Sequence, residues 1–297
     1  MTTVSTKVPY GNRQARALCT MSYDARLDFI AEGMPIILKS AQGFWNASCQ
    51  LEQSPREASV LEGFAEEEAA KSLILLDIVR CPRAQLSSRV GRIVKKVFYD
   101  HLARLIYAKA QSWNPVDTTQ LQQYVDGERQ GHYLEGGMSE FIMPNWAIYS
   151  RESTMYADIE VHEDGEPRWS DPHNWSGGMM RMKPTSLFLA EALSAIGVFT
   201  RAGLQATSEI WDAVDFVDGK GCSESRDLTR QLAMRLGAEK LVTEVATDSH
   251  WHAFYNLWQL PMYNLDFTKI EVPLEQLEAE REAAYWAEVG YDHHSDY

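Results

Sequence analysis

The sequence predicts a mostly α protein with a small β-hairpin insertion and an additional C-terminal helical region. Three observations predict it. Apolar residues recur at 3-and-4 spacing in long segments before residue 126. A glycine-rich interruption follows, with Asp164-Gly165 set between strand-like stretches, a pairing that favours a tight hairpin turn. Helical patterning then returns from residue 184. The organisation read from these shifts is an N-terminal extension (1–21), a helical core (22–126), a loop and hairpin region (127–183) and a helical region with an acidic tail (184–297).

Residues 22–53 read as one helix, with Leu27, Ile30, Met34, Ile37, Leu38 and Ala41 on its apolar face and Pro35 expected to kink it or to start its regular part. A turn follows, with Ser54 as the expected N-cap and Pro55 at the first helical position of a second helix to about residue 80. Pro82 breaks that helix. A third is expected over 87–112, with Val90, Val94, Val97, His101 and Leu105 on one stripe. Thr118 or Thr119 caps a short fourth helix around 119–126. Gly127, Gly131, Gly136 and Gly137 predict a loop, and "NWAIYSRESTMYADIEV" reads as strand-like. The expected hairpin pairs residues near 155–161 with residues near 166–170. Helices are expected again at 184–218, 224–246 and 273–288.

The chain has 297 residues, 45% of them hydrophobic, which is globular composition. No apolar run is long enough for a membrane span and the first residues hold no apolar signal core, so the expectation is a cytoplasmic protein without a membrane partner. Cys19, Cys49, Cys81 and Cys222 lack the spacing of a disulfide framework or a zinc site, and no metal or cofactor is expected. A formal charge of −14 argues against a surface that coats nucleic acid. The charge is uneven, however. Residues 80–109 carry eight bases and one acid, and residues 271–297 carry eight acids and one base. A local anion site on the basic helix fits that pattern, and the acidic end could lie across it as an autoinhibitory mimic of nucleic acid. "HWHAFYNLW" could stack bases but fits core packing better. His293 and His294 read as part of a solvated tail.

"FAEEEAAKSLILL" (64–76) places Glu67 and Lys71 on the stripe of Val60, Phe64, Leu75 and Ile78. At i,i+4 the two can pair, and a surface pair would have little further meaning. His101 interrupts the third helix in the same way, with Arg104 one turn on. Packing of the two helices would cluster Glu67, Lys71, His101 and Arg104. An imidazole beside a carboxylate and cations suits proton transfer near neutral pH. Arg89, Arg92, Lys95 and Lys96 would bind the phosphates of a nucleic acid. A metal-dependent hydrolase using Asp100, His101 and Glu67 is a weaker alternative, because adjacent helical residues diverge by roughly 100°.

"GFAEEEAAKSL" resembles a Glu-Glu-x-x-Lys segment of AbiV-type abortive-infection proteins, in the broader HEPN group, through Glu67, Glu68 and Lys71. "FYDHLARL" resembles the His-x-x-Lys element that follows it, with His101 matching and Arg104 in place of lysine. Arg151, Tyr156, Asp158 and Trp169 match a downstream stretch, while Ala70 and Ala157 depart from the pattern. The resemblance covers about residues 22–172. It implies a HEPN-like antiparallel helical bundle, a homodimer, and a bacterial anti-phage effector, an RNase-type toxin with RNA as substrate and a phage protein as activator. In that reading His101, Arg104, Lys71 and Glu67 are catalytic. Many HEPN nucleases separate an Arg from the His by four to six residues; here Lys96 is separated from His101 by four, and Arg92 by eight. The alternative is a catalytically inert HEPN-like binding protein that acts through a protein partner.

Overall fold

The computed structural model describes residues 11–135, 141–143, 145–161, 166–173, 181–217 and 219–292. These form twelve α-helices, one π-helical turn and two antiparallel two-stranded sheets, a mostly α fold carrying small hairpins. In chain order the first elements are α1 (Asn12–Thr20), α2 (Tyr23–Ser48), α3 (Pro55–Arg80), α4 (Arg83–Ile93), a π-helical turn (Val94–Phe98), α5 (His101–Ala110) and α6 (Thr118–Gln130). Next come the strands β1 (Tyr133–Glu135) and β2 (Phe141–Met143), helix α7 (Trp146–Met155), and strands β3 (Asp158–Val161) and β4 (Pro167–Ser170). The last helices are α8 (Thr185–Ala195), α9 (Arg201–Trp211), α10 (Cys222–Ala238), α11 (Asp248–Asn256) and α12 (Leu274–Asp292).

Helix α3 is the axis of the fold. It packs on α2, α4, α5, α7, α8 and α9. Ala58, Ala65, Ala69 and Ala70 are fully buried, and small side chains let neighbouring helices approach. From Ser72 to Arg80 every residue is buried, so this half is covered all round rather than on one stripe. Pro55 occupies the first turn as expected, but Ser54 makes no side-chain cap bond. Helix α2 runs unbroken through Pro35, which is exposed, and ends at Ser48 rather than 53. The segment expected as an N-terminal extension contributes α1, whose Ala15 and Leu18 are buried against the same core.

The expected third helix is two helices. Asp100 has an extended backbone (φ −91°, ψ 130°), and its Oδ1 accepts the Ala103 N–H at 2.8 Å. That side chain replaces a missing helical partner at the start of α5, so the helix restarts there. His101 therefore leaves the Val90, Val94, Val97 stripe and becomes the first residue of α5. Helix α6 is likewise capped by Asp117, whose Oδ1 accepts the Gln120 N–H at 2.8 Å, and not by a threonine. Gly131 ends α6 at φ +48°, where an added Cβ would lie 2.5 Å from Asn145 Nδ2. Asn145 is buried and accepts from the Ile148 N–H, so it starts a helix at 146–155 where strand was expected. Its amide also donates to Glu128 O at 2.8 Å, tying α7 to α6.

The expected hairpin forms, with Asp158–Val161 paired to Ser170–Pro167. Its Asp164-Gly165 turn lies outside the described residues, as do His293 and His294. The β1–β2 pair occupies the segment read as loop. The expected 184–218 helix divides into α8 and α9 at Gly197, where φ is +90° and a Cβ would meet Leu241 O at 2.2 Å. Among the described residues the acidic α12 does not pack along the basic helix. It borders β2, and Glu280 pairs with His132 at 2.5 Å. The aromatic segment of α11 is a packing element, with Ala253 and Phe254 buried.

A second feature locks the C-terminal segment to α3. Asp77 and Arg80 form a buried ion pair one turn apart. Asp77 Oδ2 also accepts the Tyr107 hydroxyl and, at 2.7 Å, the Met262 N–H. Arg80 Nη1 donates to Gln259 O at 2.8 Å, and the guanidinium lies 4.5 Å from the Trp258 ring centroid. Burial and the Asp77 charge raise the Tyr107 pKa, so this phenol remains a donor. Asp77→Ala leaves Arg80 buried without its counter-charge and should cost about 3–5 kcal/mol in urea or thermal melts. A loss below about 1 kcal/mol, the range of exposed pairs, would show that the pair does not anchor this segment.

Candidate functional site

Glu67 is the centre of the site. Its side chain is only 4% exposed. A carboxylate taken out of water needs several donors, and three elements supply them. From α7, Arg151 Nε donates to Oε1 at 2.6 Å. From α5, Arg104 Nη2 lies 3.0 Å from Oε2, and His101 Nδ1 lies 2.7 Å from the same oxygen. Arg104 Nη2 is also 2.7 Å from Nδ1. A guanidinium can only donate and a carboxylate can only accept, so Nδ1 faces one of each: as Nδ1–H it donates to Oε2, and as a bare nitrogen it accepts from Arg104. With Nδ1–H on the carboxylate, Nε2 is the lone-pair nitrogen. His101 is 56% exposed, so that nitrogen belongs to a ring open to solvent.

The expected members are thus partly assembled. Glu67, His101 and Arg104 meet. The expected Glu67–Lys71 pair does not form. Lys71 Nζ instead binds Glu68 at 2.5 Å and lies 5.9 Å from the Phe98 ring centroid. A buried Glu67 already saturated by three donors has no need of the lysine, while Glu68 is partly exposed beside it. The phosphate-binding set is dispersed among other partners. Arg89 grips Asp215 through both nitrogens, at 2.7 and 2.8 Å. That grip holds the Asp215 carboxyl below its usual pKa. Arg92 donates to Tyr263 O at 2.8 Å. Lys96 reaches Thr268 Oγ1 at 3.4 Å, and Lys95 is exposed on the π-helical turn. Asp100 is engaged as the α5 cap, and no cluster of three or more His, Cys, Asp or Glu with metal-binding geometry occurs among the described residues.

Arg151 is the member that periodicity missed. It lies in the stretch read as strand-like, where alternation would not have aimed it at α3. In the sequence only the motif likeness singles it out. Between one and two turns of α7 bring it to Glu67 once Asn145 has capped the helix.

A cleft of about 500 Å³ opens beside this cluster, between α3, α5, α7 and residues 182–184. Glu67 and Arg151 belong to its wall, together with Glu62, Glu66, Phe64 and Trp146. Glu62 pairs with Arg181 at 3.3 Å. Glu66 differs. Burial pushes its carboxyl up to about 7, the Glu67 charge adds to the rise, and Lys109 opposes it.

Neither a family model nor a curated protein nor a solved structure matches this chain. The likeness to AbiV-type proteins rests on the motif residues alone.

Glu66 links stability to pH. Native Glu66 keeps its proton up to about 7, whereas an ordinary glutamate releases it near 4.5. Between those values the folded state binds more protons, so this contribution is complete below 4.5 and is lost as pH rises through 7. Glu66→Gln stays neutral throughout. It should match wild type near pH 4.5 and exceed it at pH 8 by about 1–2 kcal/mol, after allowance for solvent reaching the carboxyl. Melts showing the same gap at both pH values would contradict the raised pKa.

Proposed function

We propose that this protein is an anti-phage, abortive-infection effector that cleaves RNA without a metal ion. The observation that carries the reading is one exposed histidine whose Nδ1 is held by a buried glutamate, with two arginines on the same carboxylate. His101 Nε2 takes the proton of an RNA 2′-hydroxyl. The 2′-oxygen attacks phosphorus, the bond to the 5′-oxygen breaks, and the proton returns to that oxygen. The products are a 2′,3′-cyclic phosphate and a 5′-hydroxyl. Glu67 orients the imidazole. Arg104 and Arg151 supply positive charge where charge develops on phosphorus. Lys71, one turn along α3, meets the backbone phosphates, as do the exposed Lys95 and Lys96. The motif likeness supports the defence role, with a phage protein as trigger.

One observation favours a second reading. Three donors on Glu67 are also what a purely structural carboxylate requires, so the same cluster fits an inert protein acting through a partner. His101→Ala separates the two. The exposed ring should be removed with a stability change within about 1 kcal/mol. On expression in bacteria, growth arrest and RNA breakdown should both disappear. Toxicity retained at wild-type strength would rule out the nuclease reading. Glu67→Ala, by contrast, strands Arg104 and Arg151 and should lower stability by about 3–5 kcal/mol.

A homodimer belongs to the same proposal. Phe29 and Ile36 are 53% and 65% exposed and stand seven residues apart on α2, hence on one face. Light scattering should give a dimer at micromolar concentration, and the double variant Phe29→Glu, Ile36→Glu should give a monomer. Wild type that is monomeric throughout would end this part of the proposal.

A further inference from the structure

Resting on the RNA-cleaving reading, we infer that the cleft beside Glu67 takes the guanine base of the substrate, with Glu66 reading its Watson–Crick edge. The cleft, at about 500 Å³, lies within the size range of small-molecule sites. It shares Glu67 and Arg151 with the histidine cluster, so base and phosphate of one nucleotide have adjoining places. Phe64, Leu105 and Trp146 give it flat or apolar walls. Single-stranded RNA is read by splayed bases that stack on such side chains and hydrogen-bond at their edges.

The polar lining narrows the choice of base. Glu62 is paired with Arg181, and Glu67 with His101, Arg104 and Arg151. The Glu66 carboxyl has no hydrogen bond or ion pair among the described residues. Glu62 Oε1 meets Arg181 as an ion pair without a hydrogen bond, whereas Glu66 has neither, so among the described lining carboxylates Glu66 is the one that still awaits a counter-charge and donors. Guanine offers two side by side, N1–H and the N2 amine, which match the two oxygens of a carboxylate. Adenine and cytosine set an acceptor beside a donor at the same edge, and uracil flanks its one donor with two carbonyls. Each would turn a lone pair toward the carboxylate. Binding two donors favours the ionised form of Glu66. A carboxyl that holds its proton to about 7 must release it on binding, so affinity should rise between pH 6 and pH 8.

Titration calorimetry on the full-length wild type tests this with guanosine, inosine and adenosine 3′-monophosphates. Inosine keeps N1–H and lacks the N2 amine. Guanosine monophosphate should bind about tenfold more tightly than the inosine form, the worth of one hydrogen bond to a charged group, and adenosine monophosphate should be weakest. Glu66→Gln should level the three. Equal affinities, no binding of guanosine monophosphate at millimolar concentration, or a preference that survives Glu66→Gln would each overturn the assignment. The two proposals fail separately. Binding with guanine preference in a protein that never cuts RNA removes the nuclease reading, whereas cutting that follows every base alike removes this one.

Discussion

A buried helix that carries charge governs this structure. Helix α3 is covered on all sides in its second half, yet it holds Glu67, Asp77 and Arg80 at 4% exposure or less. Each isolated charge would cost several kcal/mol in such a place. Each is therefore met by partners brought from elsewhere in the chain. Asp77 and Arg80 fix Tyr107 of α5 and the 259–262 backbone. Glu67 fixes the start of α5 and the middle of α7. Apolar burial supplies most of the driving force, but it is non-directional. The hydrogen-bonded charges set which elements meet and in what register.

The same requirement prepares the candidate site. The groups on Glu67 grade from interior to surface, with the carboxylate 4%, Arg104 9%, Arg151 19% and His101 56% exposed. The gradient separates two tasks. The interior end positions the imidazole, because a carboxylate with saturated donors has no reason to move. The outer end leaves the ring open to a large substrate. The basic residues of α4 do not share this design. Arg89 and Arg92 hold the 215 and 263 segments in place, so the positive run between residues 80 and 109 is in good part structural.

Much of the fold was legible because its signals are local. Helical spacing, Pro55 at a helix start and the alternation around residues 158–170 act over a few residues and survived packing. Glu67, His101 and Arg104 stand out in the sequence as polar residues inside apolar stripes. Packing does bring those three together, though not by the expected geometry. Periodicity puts His101 on a continuous stripe, whereas the Asp100 cap restarts the helix and puts the ring at the surface. Lys71 does not partner Glu67, because i,i+4 spacing permits a pair but does not rank it against partners distant in sequence.

By itself, the sequence determined the helical class, the presence of the β3–β4 hairpin and the fact that α3 carries charges where a plain core helix would carry leucine. Spacing and composition encode these directly. Only the tertiary structure decided that Glu67 is bound by α5 and α7 together, that Asn145 turns a strand-like segment into the helix presenting Arg151, and that Glu66 faces a cleft without a partner. Those outcomes depend on how much water each carboxylate loses, and on which donors the rest of the chain delivers to it. Burial is a property of the packed molecule, and no local window of residues contains it.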